Sequence, residues 1–198
     1  IQEADLRSLA QGTTTDKVFE LTKKLSSRVD TPLVYMTYLN VLFKYGYDKF
    51  LQNAKDAGIS GVIVPDLPYE EKDELQSVAE KYDIDVISLI APTSEDRIKM
   101  IANDAKGFIY TVSSMGVTGM RNEIKTDLQS IVSHIKSVTD VPVAIGFGIN
   151  KPQQAKEFSA YADGVIVGSA IVNIVAEHGK DAPEYVFDYV KSMKDAIR

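Results

Sequence analysis

The chain has 198 residues, of which 44% are hydrophobic and 25% charged, which suits one ordinary globular domain spanning 1–198. A net charge of -6 with no offsetting basic patch argues against nucleic-acid binding, and cysteine is absent, which excludes disulfides and thiolate chemistry. No apolar run approaches the roughly 18 residues of a membrane-spanning helix, and no signal peptide is visible, so the expected compartment is the cytoplasm.

Taken in order, Ile1–Ala10 reads as a helix with Leu6, Leu9 and Ala10 on one face, stopped at Gly12. Thr13–Thr15 supply a cap for a second helix whose expected stripe is Val18, Leu21, Leu25 and Val29. Thr31-Pro32 ends it, because a residue before proline avoids the α region. Leu33–Tyr38 is the first predicted strand. A short helical turn at Asn40–Tyr45 and a helix at Lys49–Ala57 follow.

From there one unit repeats. Strands are expected at Gly61–Val64, Asp85–Ile90, Gly107–Val112, Pro142–Gly146 and Gly164–Val167. The helices between them carry Leu75, Val78, Ala79 and Tyr82, then Ile98, Ile101 and Ala102, then Leu128, Ile131, Val132, Ile135 and Val138. The closing helix shows Val186, Tyr189, Val190, Met193 and Ile197. The strands are short and continuously apolar, as expected of strands buried on both faces of a parallel sheet. Alternation of strand and helix predicts an α/β fold with parallel strands.

Six strands, with two helices ahead of the first, fit a (β/α)₈ TIM barrel of which this chain carries six strands; such barrels typically have about 250 residues. An open six-stranded nucleotide-binding sheet is the alternative. It lacks support, because no G-x-G-x-x-G follows an early strand and the glycine turns lie late in the chain.

Those turns are the main functional signal. Gly146-Phe147-Gly148 and Gly168-Ser169 each end an apolar run and open a helical segment. Glycine lets a backbone N–H approach a ligand, and a helix N-terminus adds donors and partial positive charge. Two such turns on adjacent strands describe the phosphate site often built after the last two strands of a barrel. The competing reading is two ordinary strand–helix turns. The loop Ser113–Arg121 is long and rich in small residues. It reads either as a mobile lid, with Thr118 bonding a catalytic group and Gly119 adding a phosphate contact, or as a loop without a role.

Asp66 falls at a strand end between prolines, as a catalytic group or as a helix cap. Tyr38, Tyr110 and Phe147 also fall at strand ends, where aromatics either sandwich a flat substrate or simply fill the core. His134 and His178 lie on or at the end of helices with no partner at ligand spacing and read as surface residues; no metal cage is evident.

The motifs V-P-D-L-P-Y-E-E, S-M-G-V-T-G, G-F-G-I and V-G-S-A-I-V occur in this order, and together they resemble the α subunit of tryptophan synthase over the whole chain. The resemblance implies a barrel lyase that cleaves indole-3-glycerol phosphate to indole and glyceraldehyde 3-phosphate by a retro-aldol reaction. It implies that Gly119, Gly148, Gly168 and Ser169 hold the phosphate, and that Tyr38, Tyr110, Phe147 and Ile166 line the indole and glycerol pocket. Thr118 becomes the lid residue, and Asp66 supports the site and the contact with a partner. That partner is a β subunit, in an α2β2 complex, which carries pyridoxal phosphate and receives indole through a tunnel; the α chain carries no cofactor or metal. The family's catalytic glutamate and aspartate belong to a segment that this reading places ahead of Ile1, so the expectation is that these 198 residues alone are inactive. The alternatives are another phosphate-binding barrel enzyme, such as an indole-glycerol-phosphate synthase, and a non-catalytic α-like activator of a β subunit.

Overall fold

The computed structural model describes residues 1–112, 127–146 and 148–198. The chain alternates helices and short strands from the first strand to the last: helices α1 (Gln2–Ala10) and α2 (Thr15–Ser26), β1 (Leu33–Met36), α3 (Leu39–Tyr45), α4 (Tyr47–Asp56), β2 (Ile59–Ile63), α5 (Lys72–Ala79), β3 (Asp85–Val86), β4 (Ser88–Ile90), α6 (Glu95–Asn103), β5 (Ile109–Val112), α7 (Leu128–Lys136), β6 (Val143–Gly146), α8 (Pro152–Phe158), β7 (Gly164–Val165), α9 (Ser169–His178) and α10 (Ala182–Ala196). By Cα proximity it forms two units. One comprises Ser8–Leu89 with Ala105–Gly107; the other comprises Ile1–Arg7, Ile90–Asp104 and Phe108–Arg198.

In the first unit, β1, β2 and β3 form a parallel sheet in that order, with Val34 opposite Gly61 and Val62 opposite Val86. Its core joins Leu42, Phe50, Leu51 and Ala54 to Val62, Leu75 and Ala79. Phe19 of α2 enters an aromatic slot, edge-on to Tyr35, Tyr45 and Phe50 at 5.2–5.7 Å between ring centres. Such pairs add about 0.5–1.5 kcal/mol each beyond area burial.

That slot overturns the expected stripe on α2. Val18, Leu21, Leu25 and Val29 are exposed, and the buried pair is Phe19 with Thr22. The aromatic slot turns the helix to admit Phe19, and Thr22 follows one turn later, its hydroxyl donating to the Val18 carbonyl at 2.9 Å. The helix also ends at Ser26, three residues short of Val29. Helix α1 likewise buries nothing, so Leu6 and Leu9 stand exposed. Strand β1 is the outer strand of its sheet and alternates, with Val34 and Met36 exposed, rather than being covered on both faces.

The expected strand Asp85–Ile90 is interrupted. Asp85 and Val86 pair with β2, the Ile87 amide bonds the Val62 carbonyl at 2.9 Å, and Ser88–Ile90 stands as a separate strand in the order β4-β5-β6-β7.

In the second unit β5, β6 and β7 are parallel, with Thr111 opposite Ile145 and Ile145 opposite Val165. Helix α7 buries Leu128, Ile131, Val132 and Ile135, as its spacing predicts, and Asp127 caps it by accepting from the Ser130 amide at 3.0 Å. Helix α10 turns Tyr189 and Val186 partly inward and buries Met193, whereas Val190 and Ile197 are exposed. His134 does have a neighbour, with Nε2 3.4 Å from Glu95 Oε1. His178 stacks on Tyr185 at 3.6 Å.

Asp163 joins the elements behind the two glycine turns. Its carboxylate accepts from the Val143 amide and from Lys136 Nζ, each at 2.9 Å. The Val143 amide foremost, and then Lys136, hold its pKa below the usual carboxylate value. A carboxylate with a lowered folded pKa stabilises above its unfolded pKa of about 3.9, and that stabilisation is lost as pH falls through the folded value. The side chain is 44% exposed, so solvent screening keeps the effect near or below about 1 kcal/mol. Asp163→Asn is expected to flatten the acid limb of stability against pH, read by urea midpoints between about pH 5 and 2; an unchanged slope would assign that limb to other carboxylates.

Candidate functional site

Strands β6 and β7 are adjacent and parallel, so the chain leaves both at the same end. Hydrogen bonding continues past the assigned end of β7, where the Ile166 amide donates to the Ile145 carbonyl at 2.7 Å. The two glycine turns begin there.

The first turn has a steric cause visible in its neighbour. Tyr110 lies opposite Ala144, and its side chain reaches along the sheet over Gly146. A Cβ at Gly146 would stand 2.3 Å from Tyr110 Oη and 2.5 Å from two ring carbons. Tyr110 is only 4% exposed, and burial pushes its phenol up to about 12, so it is neutral near pH 7. Gly148 has a φ of +87°, which side-chain-bearing residues rarely adopt.

Hydrogen bonds among the described residues shape the chain beyond Gly148. Asn150 Nδ2 donates to the Gly148 carbonyl at 3.0 Å. Gln154 Oε1 accepts from the Asn150 and Lys151 amides at 2.9 and 3.0 Å. Tyr189 Oη donates to the Asn150 carbonyl at 3.0 Å. Ile149 is buried.

The second turn is open. Gly168 precedes α9 with φ −120° and ψ −73°, and no side chain caps the helix. Among the described residues nothing lies within 4 Å of a Cβ built on Gly168. Ser169 is half-buried and Ala170 is buried, which anchors the first turn of α9. An uncapped helix start beside open space presents N–H donors and the positive end of the helix dipole. Ile166 is half-buried at the strand end.

In the first unit Asp66 is exposed, and its Oδ1 accepts from the Leu39 amide at 2.9 Å. It therefore caps α3 from another strand's turn and fixes the backbone beside Tyr38, which is 60% exposed rather than core. Among the described residues Asp66 is the one carboxylate in the three positions that follow a strand's C-terminal end. Phe147, Thr118 and Gly119 lie outside the described residues, as does the loop that Thr118 and Gly119 share.

The sequence reading missed Tyr189, Asn150 and Gln154 as parts of the first turn. Gln154 had a signal, three residues after the N-cap Lys151 where a glutamine closes back on the helix start. The Tyr189 hydroxyl had none, because its ring fits the apolar pattern of α10.

The family model for the tryptophan synthase alpha chain matches residues 1–198. The chain belongs to the tryptophan synthase alpha chain family. The alpha chain of Lacticaseibacillus casei is 49% identical over 197 residues, spanning 100% of this chain and 74% of that one. That of Lactiplantibacillus plantarum is 46% identical over 198 residues, 100% and 75% of the two. Among solved structures, one titled for the mutual activation of the tryptophan synthase α2β2 complex of Pyrococcus furiosus has a TM-score of 0.88 at 34% identity, covering 98% of this chain and 79% of its own. The alpha subunit of Campylobacter jejuni has a TM-score of 0.82 at 37% identity, covering 94% and 73%. As a member of the tryptophan synthase alpha chain family the protein has the (β/α)₈ barrel fold class, and the open nucleotide-binding sheet is set aside. No helix among the described residues is long and apolar enough to cross a membrane.

Proposed function

We propose that the protein is the α-type lyase of tryptophan biosynthesis, cleaving indole-3-glycerol phosphate to indole and glyceraldehyde 3-phosphate. The observation that carries this is the family match over residues 1–198, together with the placement of Gly146 and Gly168 at the same end of two paired parallel strands. Gly148, Gly168 and Ser169, with Gly119, hold the phosphate. The open space over Gly168 and the uncapped start of α9 support that assignment. Tyr110 and Ile166 line the indole and glycerol part, and Tyr38 and Phe147 take that role by resemblance. Asp66 acts by fixing the turn at Tyr38-Leu39, and Thr118 is the lid residue. The partner is a pyridoxal phosphate-dependent β subunit in an α2β2 complex, and the compartment is the cytoplasm.

Retro-aldol cleavage needs one carboxylate to move protons between indole C3 and the glycerol hydroxyl, and another to accept the indole N–H as charge develops. Asp66 is engaged as a cap, and Tyr110 keeps its proton near pH 7. These 198 residues alone are therefore expected to bind the phosphate end of the substrate and release no indole. The check is an indole assay on indole-3-glycerol phosphate with and without added β subunit. Turnover by this polypeptide would overturn the assignment of the acid–base groups to carboxylates other than its own.

A further inference from the structure

We propose that Tyr189 is a positioning residue for the phosphate turn: from the closing helix it holds Gly148–Lys151 in its anion-binding shape. The inference rests on the phosphate reading of Gly148 given above. The turn has little regular structure of its own, since Gly148 is left-handed and Pro152 at the start of α8 donates no N–H. Its shape comes from side chains. Asn150 folds back on the Gly148 carbonyl, and Gln154 takes the Asn150 and Lys151 amides. These three bonds are local, within four residues. The bond from Tyr189 Oη to the Asn150 carbonyl spans 39 residues and tethers the turn to a separate element.

The bonds are consistent with an anion at the turn. None of the four takes the Gly148 N–H, the donor that the phosphate reading assigns to the ligand. Tyr189 donates here because its partner is a carbonyl oxygen, and burial raises its phenol above the ordinary value, so the proton it donates is retained. Helix α10 packs on both α8 and α9, the helices that follow the two glycine turns, so the tether starts from an element seated on both. Without the hydroxyl, the Asn150 carbonyl loses this bond to α10 and the turn gains alternatives that must be frozen out on binding.

The test is a ¹⁵N-resolved titration of the 198-residue chain with glycerol 3-phosphate, using glycerol as the blank. The variants are Tyr189→Phe, which removes one oxygen and keeps the ring, and Gln154→Met, which loosens the same turn from the other side. Each is expected to weaken glycerol 3-phosphate about threefold to tenfold, the effect of one hydrogen bond for Tyr189→Phe and at least that for Gln154→Met, which removes two. The ligand-induced shift should shrink at the Gly148 amide and persist at Ser169 on the other turn. Unaltered affinity in both variants would overturn the positioning role and leave the phosphate site standing. Equal loss at Gly148 and Ser169 would make Tyr189 a general packing residue and also overturn it. Failure of the parent chain to distinguish glycerol 3-phosphate from glycerol would remove the phosphate reading, and the proposal with it.

Discussion

Gly146→Ala is expected to destabilise the protein by about 3 kcal/mol, the upper part of the range for overpacking a filled interior. The methyl group would enter at 2.3–2.5 Å from Tyr110 Oη and two of its ring carbons. A flexible side chain could yield by moving its tip. Tyr110 cannot do so cheaply, because the contact includes ring atoms and the residue is only 4% exposed on a strand paired through Ala144. For a chain of this length the midpoint of thermal unfolding should fall on the order of 6–12 °C. Gly168→Ala is the control: the same methyl meets nothing within 4 Å, and φ is negative, so stability should hold or rise by about 0.4–1 kcal/mol. The cause is checked by a double-mutant cycle. If the clash with the ring is responsible, adding Gly146→Ala to Tyr110→Ala should cost well under 1 kcal/mol more. A cost unchanged by removing the ring would locate the strain in the backbone of β6 instead.

The contrast between these glycines shows what the residues themselves disclose. Both turns were legible as glycine turns, because a short apolar run ending in glycine before a helical pattern is a local signal. The reason for each glycine was not local. Gly146 is glycine because a tyrosine from β5 crosses it, whereas Gly168 is glycine beside open space. Helix α7 followed its periodicity, since its partners accept any regular apolar face. Helix α2 did not, because three aromatic rings from β1, α3 and α4 select Phe19, and no period on α2 records them. The strand predicted at Asp85–Ile90 was right in extent, but its interruption at Ile87 depends on pairing partners and leaves no mark in composition. Asp66 resolves toward the cap it was weighed against. Its acceptor is aimed at the Leu39 amide, and only the fold of β1 beside β2 puts that amide 27 residues away within reach.

Gly168→Asp should separate stability from binding more sharply than any other single change at the phosphate site. The position has room for the side chain, with nothing among the described residues within 4 Å of its Cβ and a φ open to L-residues. A carboxylate at a helix N-terminus interacts favourably with the dipole by about 0.3–1 kcal/mol, and aspartate is among the preferred residues just ahead of a helix. The variant should therefore melt at or above the parent. The same carboxylate occupies the space and the donors that the phosphate requires, and it sets like charge against a dianion. Two charges about 4 Å apart at an effective dielectric near 20 repel by about 4 kcal/mol, so even half of that lowers affinity more than tenfold. Glycerol 3-phosphate binding should fall by at least about thirtyfold, and the deficit should shrink as salt is raised, because exposed charges are screened. Gly168→Asn supplies nearly the same shape without the charge and should recover part of the loss. An aspartate variant that binds glycerol 3-phosphate as the parent does would move the phosphate away from the start of α9, and the assignment of Gly168 and Ser169 would go with it.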